Sequence, residues 1–164
     1  MDIIIEKMKD EDWPEIKTIY RQGIATGNAT FDSEAPEWEQ WDKTHLQDCR
    51  LVIKSEQKIV GWAALSPVSS RCVYNGVAEV SLYIRDSFRG RGIGTKLLKA
   101  AIEESQRVGI WTLQSLTFPE NTTSLAIQRA CGFREVGIRQ KMGCMNGKWR
   151  DVVLMERRSK VVGI

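Results

Sequence analysis

The stretch VAEVSLYIRDSFRGRGIGTKLLKAAIEESQRV, Val77 to Val108, decides how this chain is read. Val77 to Ile84 predicts a strand. Its alternation puts Ala78, Val80, Leu82 and Ile84 on one face and Glu79, Ser81 and Tyr83 on the other. Gly92 to Val108 predicts the best helix of the chain, with Ile93, Leu97, Leu98, Ala101, Ile102 and Val108 in one apolar stripe and Gly109 as its stop. Between strand and helix lie glycines at 90, 92 and 94, which let the backbone approach a ligand with no Cβ in the way. The first amides of such a helix lack intrahelical partners, and its dipole favours negative charge there. With Arg89, Arg91 and Lys96 around it, the turn reads as a cradle for phosphate oxygens. The spacing excludes two common phosphate binders. A nucleoside-triphosphate loop needs G-x-x-x-x-G-K-[ST], which is absent. The third glycine comes one residue early for a dinucleotide fingerprint.

Outward from this unit, Ile3 to Lys7 predicts a strand. Asp12 and Glu15 resemble a capping pair, with Pro14 in the first turn of a helix that Gly27 stops. Asn28 to Pro36 reads as a loop and Glu37 to Gln47 as a short helix with Trp38 and Trp41 in the core. Leu51–Lys54 and Ile59–Leu65 form a hairpin, followed by a Ser-, Pro- and Gly-rich loop, Ser66 to Gly76. Thr112–Phe118 predicts a strand and Thr122–Ala130 a helix stopped by Gly132. Phe133–Met145 and Lys148–Glu156 pair through Asn146-Gly147, the strongest short hairpin signal present. The expectation is one α/β domain over residues 1–164, a mixed central sheet with helices on its faces.

Composition bounds the partners. The chain has 164 residues, 42% hydrophobic and 27% charged, with a formal net charge of +3. That is ordinary globular composition; the charge suits an anionic small ligand and is too weak to argue for nucleic acid. No apolar run has membrane-spanning length and no signal-peptide layout opens the chain, so a cytoplasmic protein is expected. The four cysteines (Cys49, Cys72, Cys131, Cys144) have no C-x-x-C spacing and read as reduced, mostly buried packing thiols. With His45 the only histidine, neither a metal site nor a Ser-His triad finds support.

Arg89, Gly92 and Gly94, as R-x-x-G-x-G at a strand-to-helix turn, resemble the acetyl-CoA motif of the GNAT N-acetyltransferases. Asn121-Thr122-Thr123-Ser124, running to Gly132-Phe133, is similar to that family's N-x-x-S…G-F helix. Ala29-Thr30-Phe31, Arg71 to Tyr74, Ala78 to Ile84 and Gly147 to Asp151 resemble its phosphinothricin and methionine-sulfone branch. The resemblance implies a GNAT fold whose sheet splays between Val77–Ile84 and Thr112–Phe118 to admit acetyl-CoA. It implies that the backbone of Leu82, Tyr83 and Ile84 pairs with pantetheine amides like an added strand. Arg89, Gly90, Arg91, Gly92, Ile93, Gly94 and Thr95 would hold the pyrophosphate, and Asn121 and Ser124 the pantetheine arm. Relatives of this kind are commonly homodimers.

Acetyl transfer to an amine requires a free lone pair, so a base must remove a proton before attack on the thioester. A carboxylate within an apolar strand is unusual unless it faces a wet cleft or finds a partner, which makes Glu79 the candidate. The matching glutamate is the base in the branch it resembles. Arg71 and Tyr74 resemble residues that grip a substrate carboxylate, a task suited to the guanidinium fork, and Phe31 resembles an apolar wall of the acceptor pocket. The acceptor implied is an amino acid analogue with a free α-amine: phosphinothricin, methionine sulfone or methionine sulfoximine. Two positions depart from the family. Gln128 stands where many members place a tyrosine that protonates the leaving thiolate, and Asn146 where the phosphinothricin enzymes carry a histidine. That pattern leaves two alternatives, a non-catalytic acyl-CoA-binding sensor module and a peptide or protein N-acetyltransferase.

Overall fold

In the computed structural model, which describes residues 2–164, seven strands form one sheet in the order β1-β2-β3-β4-β5-β7-β6. The strands are β1 (Ile3–Lys7), β2 (Leu51–Ser55), β3 (Lys58–Pro67), β4 (Val77–Ile84), β5 (Thr112–Thr117), β6 (Arg134–Met145) and β7 (Lys148–Arg158). The helices are α1 (Trp13–Ala25), α2 (Trp38–Thr44), α3 (Ile93–Arg107) and α4 (Thr122–Ala130). Every neighbouring pair is antiparallel except β4 with β5.

Alternation along β3 explains the layering. Trp62 and Ala64 pack with Ile16, Ile19 and Tyr20 of α1 and Trp41 of α2. Ala63 points the other way, onto Ile93, Leu97 and Ala101 of α3, and Leu65 joins Leu98, Leu125 and Met155. Val60 reaches the α3 side because the register shifts there, with Gly61 opposite Ile53 and Ile59 opposite Lys54. The sheet is thus buried on both faces at its centre, with helices on each side. Burying each such large side chain contributes on the order of 1.5–3 kcal/mol.

Turn chemistry matches the sequence at both tight hairpins. Glu56 and Gln57 (φ 49° and 71°) close β2–β3, and Asn146 and Gly147 (φ 53° and 76°) close β6–β7. Four expectations need correction. Asp12 does not cap α1: its carboxylate accepts the Lys9 amide at 2.8 Å, closing the 3-10 turn before the helix. Glu15 turns away to accept the Ile59 amide at 3.0 Å. α2 stops at Thr44 rather than Gln47, because Arg50 takes the helix's free carbonyls: its guanidinium donates to the Asp42 and His45 oxygens, each at 3.1 Å, and to Leu46 at 2.7 Å. Val108 lies past the end of α3 and is 39% exposed, outside the apolar stripe. Cys49 and Cys131 are buried but Cys72 and Cys144 are exposed, so only half of the thiols are packing residues.

The start of β4 is set by a contact that leaves no room for a side chain. The Gly76 carbonyl accepts the amides of Trp111 (2.8 Å) and Thr112 (3.1 Å), and a Cβ on Gly76 would lie 2.0 Å from the Trp111 ring. Gly76→Ala is therefore expected to destabilise the fold by about 1–3 kcal/mol through overpacking. A melting experiment should show Tm lower by roughly 2–10 °C. An unchanged Tm would mean that Trp111 does not fix this junction.

Candidate active site

β4 and β5 are joined by only three residue pairs, Val77↔Thr112, Ala78↔Leu113 and Glu79↔Gln114. Beyond Glu79, β4 continues to Ile84 against β3 alone, while β5 continues to Thr117 against β7. The sheet parts there. The Arg85 amide donates to the Val60 carbonyl at 2.7 Å, so alternation turns the backbone groups of Val80, Leu82 and Ile84 away from β3 and toward the gap. Val80 still closes the ladder at Glu79↔Gln114, and the Ile84 carbonyl accepts Arg89 Nε at 3.4 Å. The Leu82 groups and the Ile84 amide have no strand partner and are free to bond an extended ligand. Tyr83 differs from its neighbours. Its own backbone faces β3, and its ring stacks on Tyr20 and Trp62, each at a centroid distance of 4.9 Å. Leu82 and Ile84 therefore offer outward backbone to the gap, and Tyr83 only braces them.

At the far end of β4 the glycine turn leads into α3. Gly90 and Gly92 have φ of 74° and 76°, the left-handed region, and a Cβ on either would meet no atom within 4 Å. Gly92 is the N-cap of α3, whose first amides open onto that space. The Gly94 position is tight instead: a Cβ there would come within 3.0 Å of Ile127 on α4. Ile93 is buried in the core and contributes backbone only. Arg89 is paired with Asp86 at 2.8 Å, and Arg91 lies over the Phe88 ring at 5.0 Å. Thr95 donates no side-chain bond among the described residues; its carbonyl faces the Cys131 thiol.

At the near end sits Glu79, half-buried on the opposite face from α3. Its Oε1 accepts from Gln114 Nε2 at 3.2 Å, and among the described residues it makes no salt bridge. The parallel register Glu79↔Gln114 places this partner, and no local pattern in the sequence announces it. One carboxylate oxygen is thereby oriented while the other stays free.

Asn121 is the N-cap of α4: its Oδ1 accepts the Ser124 amide at 3.2 Å and its Nδ2 donates to the Asn28 carbonyl at 3.1 Å. The Ser124 hydroxyl accepts Gln128 Nε2 at 3.0 Å, and the same amide donates to Thr117 Oγ1 at 2.9 Å. Thr117 in turn shares a bond with Ser115 at 2.6 Å. Gln128 is therefore a buried crosslink between α4 and β5, with its Oε1 unpartnered among the described residues. An amide is no proton source for a thiolate. Tyr20 and Tyr83 do not replace it, since burial drives both phenols far above their usual range, with Tyr20 bonded to Asp32. His45 stacks on Trp41 at 4.2 Å, and burial holds its imidazole below the usual value.

Arg71 and Tyr74 lie just before β4, both exposed, with the guanidinium 5.4 Å from the ring. Phe31 is 38% exposed and meets Phe118 edge-on at 4.8 Å. A cavity of about 500 Å³ bordered by Glu15, Lys58 and Arg85 involves none of these residues and belongs to the β2–β3 turn. Among the described residues no helix is long and apolar enough to cross a membrane, and no cluster of His, Cys, Asp and Glu could hold a metal ion.

A parted sheet, a glycine turn on a helix N-terminus and a carboxylate at the point of parting define an acyltransferase site. The acetyltransferase (GNAT) family model matches residues 7–133, and the chain belongs to that family, whose donor is acetyl-CoA. The chain is 30% identical to the phosphinothricin N-acetyltransferase of Alcaligenes faecalis, over 93% of this chain and 81% of that protein. It is 26% identical to the L-methionine sulfoximine/L-methionine sulfone acetyltransferase of Pseudomonas aeruginosa, over 88% of each. A phosphinothricin acetyltransferase from Sinorhizobium meliloti, solved in complex with acetyl-CoA, superposes with a TM-score of 0.88 at 24% identity, covering 99% of this chain and 91% of that one.

The glycine turn yields a direct test. At Gly92 an added methyl finds space, but the left-handed backbone costs a residue with a Cβ about 1–2 kcal/mol. Gly92→Ala should weaken coenzyme A binding roughly tenfold in a calorimetric titration while the fold persists. Affinity equal to that of the unaltered protein would remove the turn from the site.

Proposed function

We propose that this enzyme moves the acetyl group of acetyl-CoA to the α-amine of a small amino acid analogue of the phosphinothricin, methionine sulfone or methionine sulfoximine type. The observation that carries the reading is the parting of β4 from β5 immediately after Glu79↔Gln114. In this reading the outward backbone at Leu82 and Ile84 bonds the pantetheine amides, Gly90–Thr95 takes the pyrophosphate, and the Glu79 carboxylate lies at the other end of β4.

In this reading the acceptor binds as an ammonium. Glu79, oriented by Gln114, takes one proton from it, directly or through one water, and frees the lone pair. The amine nitrogen attacks the thioester carbon, forming the C–N bond while the carbonyl oxygen gains negative charge. The Leu82 amide, turned into the gap, donates to that oxygen; one such donor is worth about 3 kcal/mol in other acyl-transfer enzymes. The carbonyl then re-forms, the C–S bond breaks and the thiolate leaves, while the attacking nitrogen gives its second proton to water or to the departing thiolate and becomes the neutral amide. The thiolate of a low-pKa thiol departs without a strong acid, which is consistent with Gln128 in place of tyrosine. Arg71, lying on the Tyr74 ring, takes the acceptor carboxylate, and Phe31 walls its side chain. Cys72 and Cys144 have no part, because transfer is direct.

Gln128 also supports a second reading, a non-catalytic acyl-CoA sensor, since its buried amide supplies no acid. A protein N-terminus as acceptor is a third, which the Arg71 carboxylate grip disfavours. An assay of thiol release across amines with and without an α-carboxylate separates the three. Turnover confined to carboxylated amines supports the enzyme proposed, turnover only of peptide N-termini supports the third reading, and binding of acetyl-CoA with no turnover supports the sensor.

Glu79→Gln should lower kcat/KM about 10²–10⁴-fold near neutral pH. The deficit should shrink as alkaline pH supplies free amine without help. A loss that stays constant with pH would remove Glu79 as the base. The same reading includes a homodimer. The edge strand β6 exposes Val136, Ile138 and Met142 (43%, 54% and 39%), and Trp149 on β7 is 59% exposed. Light scattering should return twice the 18.7 kDa chain mass; a monomer at micromolar concentration contradicts it.

A further inference from the structure

Arg150 on β7 is 9% exposed, and no local sequence pattern announces its partners. Its guanidinium nonetheless ties together three segments far apart in the chain. Nη1 donates to the Gly27 carbonyl at 2.7 Å, and Nη2 donates to Asn28 Oδ1 at 2.8 Å and to Glu120 Oε2 at 3.2 Å. The plane lies 3.9 Å from the centre of the Phe118 ring, whose face it covers. Phe118 is the ring that Phe31 meets edge-on, and Phe31 in turn occupies the space left by Gly143, where a Cβ would stand 2.8 Å from it. Asn121 reaches the same loop from the α4 N-cap, donating to the Asn28 carbonyl at 3.1 Å.

The loop after α1 would otherwise be a run of short polar residues with little apolar surface of its own, costly to order. Two donors, the buried Arg150 and the half-buried Asn121, hold its start at residues 27–28, and the Tyr20–Asp32 bond holds it beyond Phe31. We infer that Arg150 is a positioning residue for the acceptor: it fixes the Gly27–Asp32 loop against β7 and the α4 N-terminus, so that the Phe31 wall is formed before the acceptor arrives. This rests on the reading of Phe31 as the wall of the acceptor pocket. The planar fork is essential to the role, because one group must serve two loop oxygens, a carboxylate and a ring face at once.

Arg150→Met keeps the unbranched apolar stem but lacks the guanidinium and so removes every polar bond, while Asn28→Ala cuts one bond from the loop side and leaves the buried arginine in place. Both are expected to raise the acceptor KM, roughly tenfold for Arg150→Met and less for Asn28→Ala, with the KM for acetyl-CoA within about twofold of the unaltered enzyme. Both should also speed hydrogen exchange of amides 29–32, a readout that needs no substrate. Equal rises in both KM values, or a fall in Tm with unchanged acceptor KM and unchanged exchange of 29–32, would overturn the inference and leave Arg150 a structural clamp. If the unaltered enzyme turns over no amino acid analogue, the proposed acceptor class fails. The exchange comparison then still decides whether Arg150 orders the loop, and unchanged exchange refutes it.

Discussion

Three residue pairs hold β4 to β5, and the chain then spends five residues of β4 with no neighbour on that side. An unpaired stretch of backbone is tolerable only where water or a ligand can reach it, since a buried orphan amide costs about 1–3 kcal/mol. Here Val80 to Ile84 are half-buried rather than sealed. What keeps the gap open is rigid on both sides. β4 is braced by Tyr83 in its stack with Tyr20 and Trp62, and Leu82 and Ile84 pack toward α3. β5 is held by its full ladder to β7 and by the Gln128 crosslink to α4. Neither strand can relax onto the other without dismantling a packed layer.

From that gap the placement of the chemistry follows. β4 delivers Glu79 at the last joined pair, outward backbone through the gap, and the glycine turn at its far end, all within one strand and one turn. Gln114 and Gln128 belong to the elements lining the other side. The Glu79 carboxylate is partnered by a neutral amide, and among the described residues it meets no cation.

Much of this was legible in the sequence because the signals are local. The β4 alternation, the spacing of Ile93, Leu97 and Ala101 and the Asn146-Gly147 turn each act within a few residues, and each of these elements lies where its pattern predicts. The misreadings share a different origin. Asp12 and Glu15 have capping chemistry but found other partners, the first in the preceding turn and the second across the sheet at Ile59. α2 is trimmed by Arg50, and β6 bulges between Arg139 and Gly143, where Lys141 takes φ 48° and its amide bonds Asp151. Gln114 and Arg150 act across separations of 35 and more than 120 residues. Such contacts depend on strand order and register, which a single sequence does not display. Around the candidate site, the strand, the glycine turn and the helix were readable, and the side-chain partners Gln114 and Arg150 were not.

The central claim is that the free side of β4 is where the pantetheine arm binds. Amide exchange by nuclear magnetic resonance, with and without coenzyme A, tests it most directly. Ser81 and Tyr83 face β3 and should already be protected in the free protein. Leu82 and Ile84 should exchange readily when free and become protected on binding, in alternation with their neighbours. Protection elsewhere with Leu82 and Ile84 unchanged would contradict the account, because the cofactor would then lie outside the parted strands.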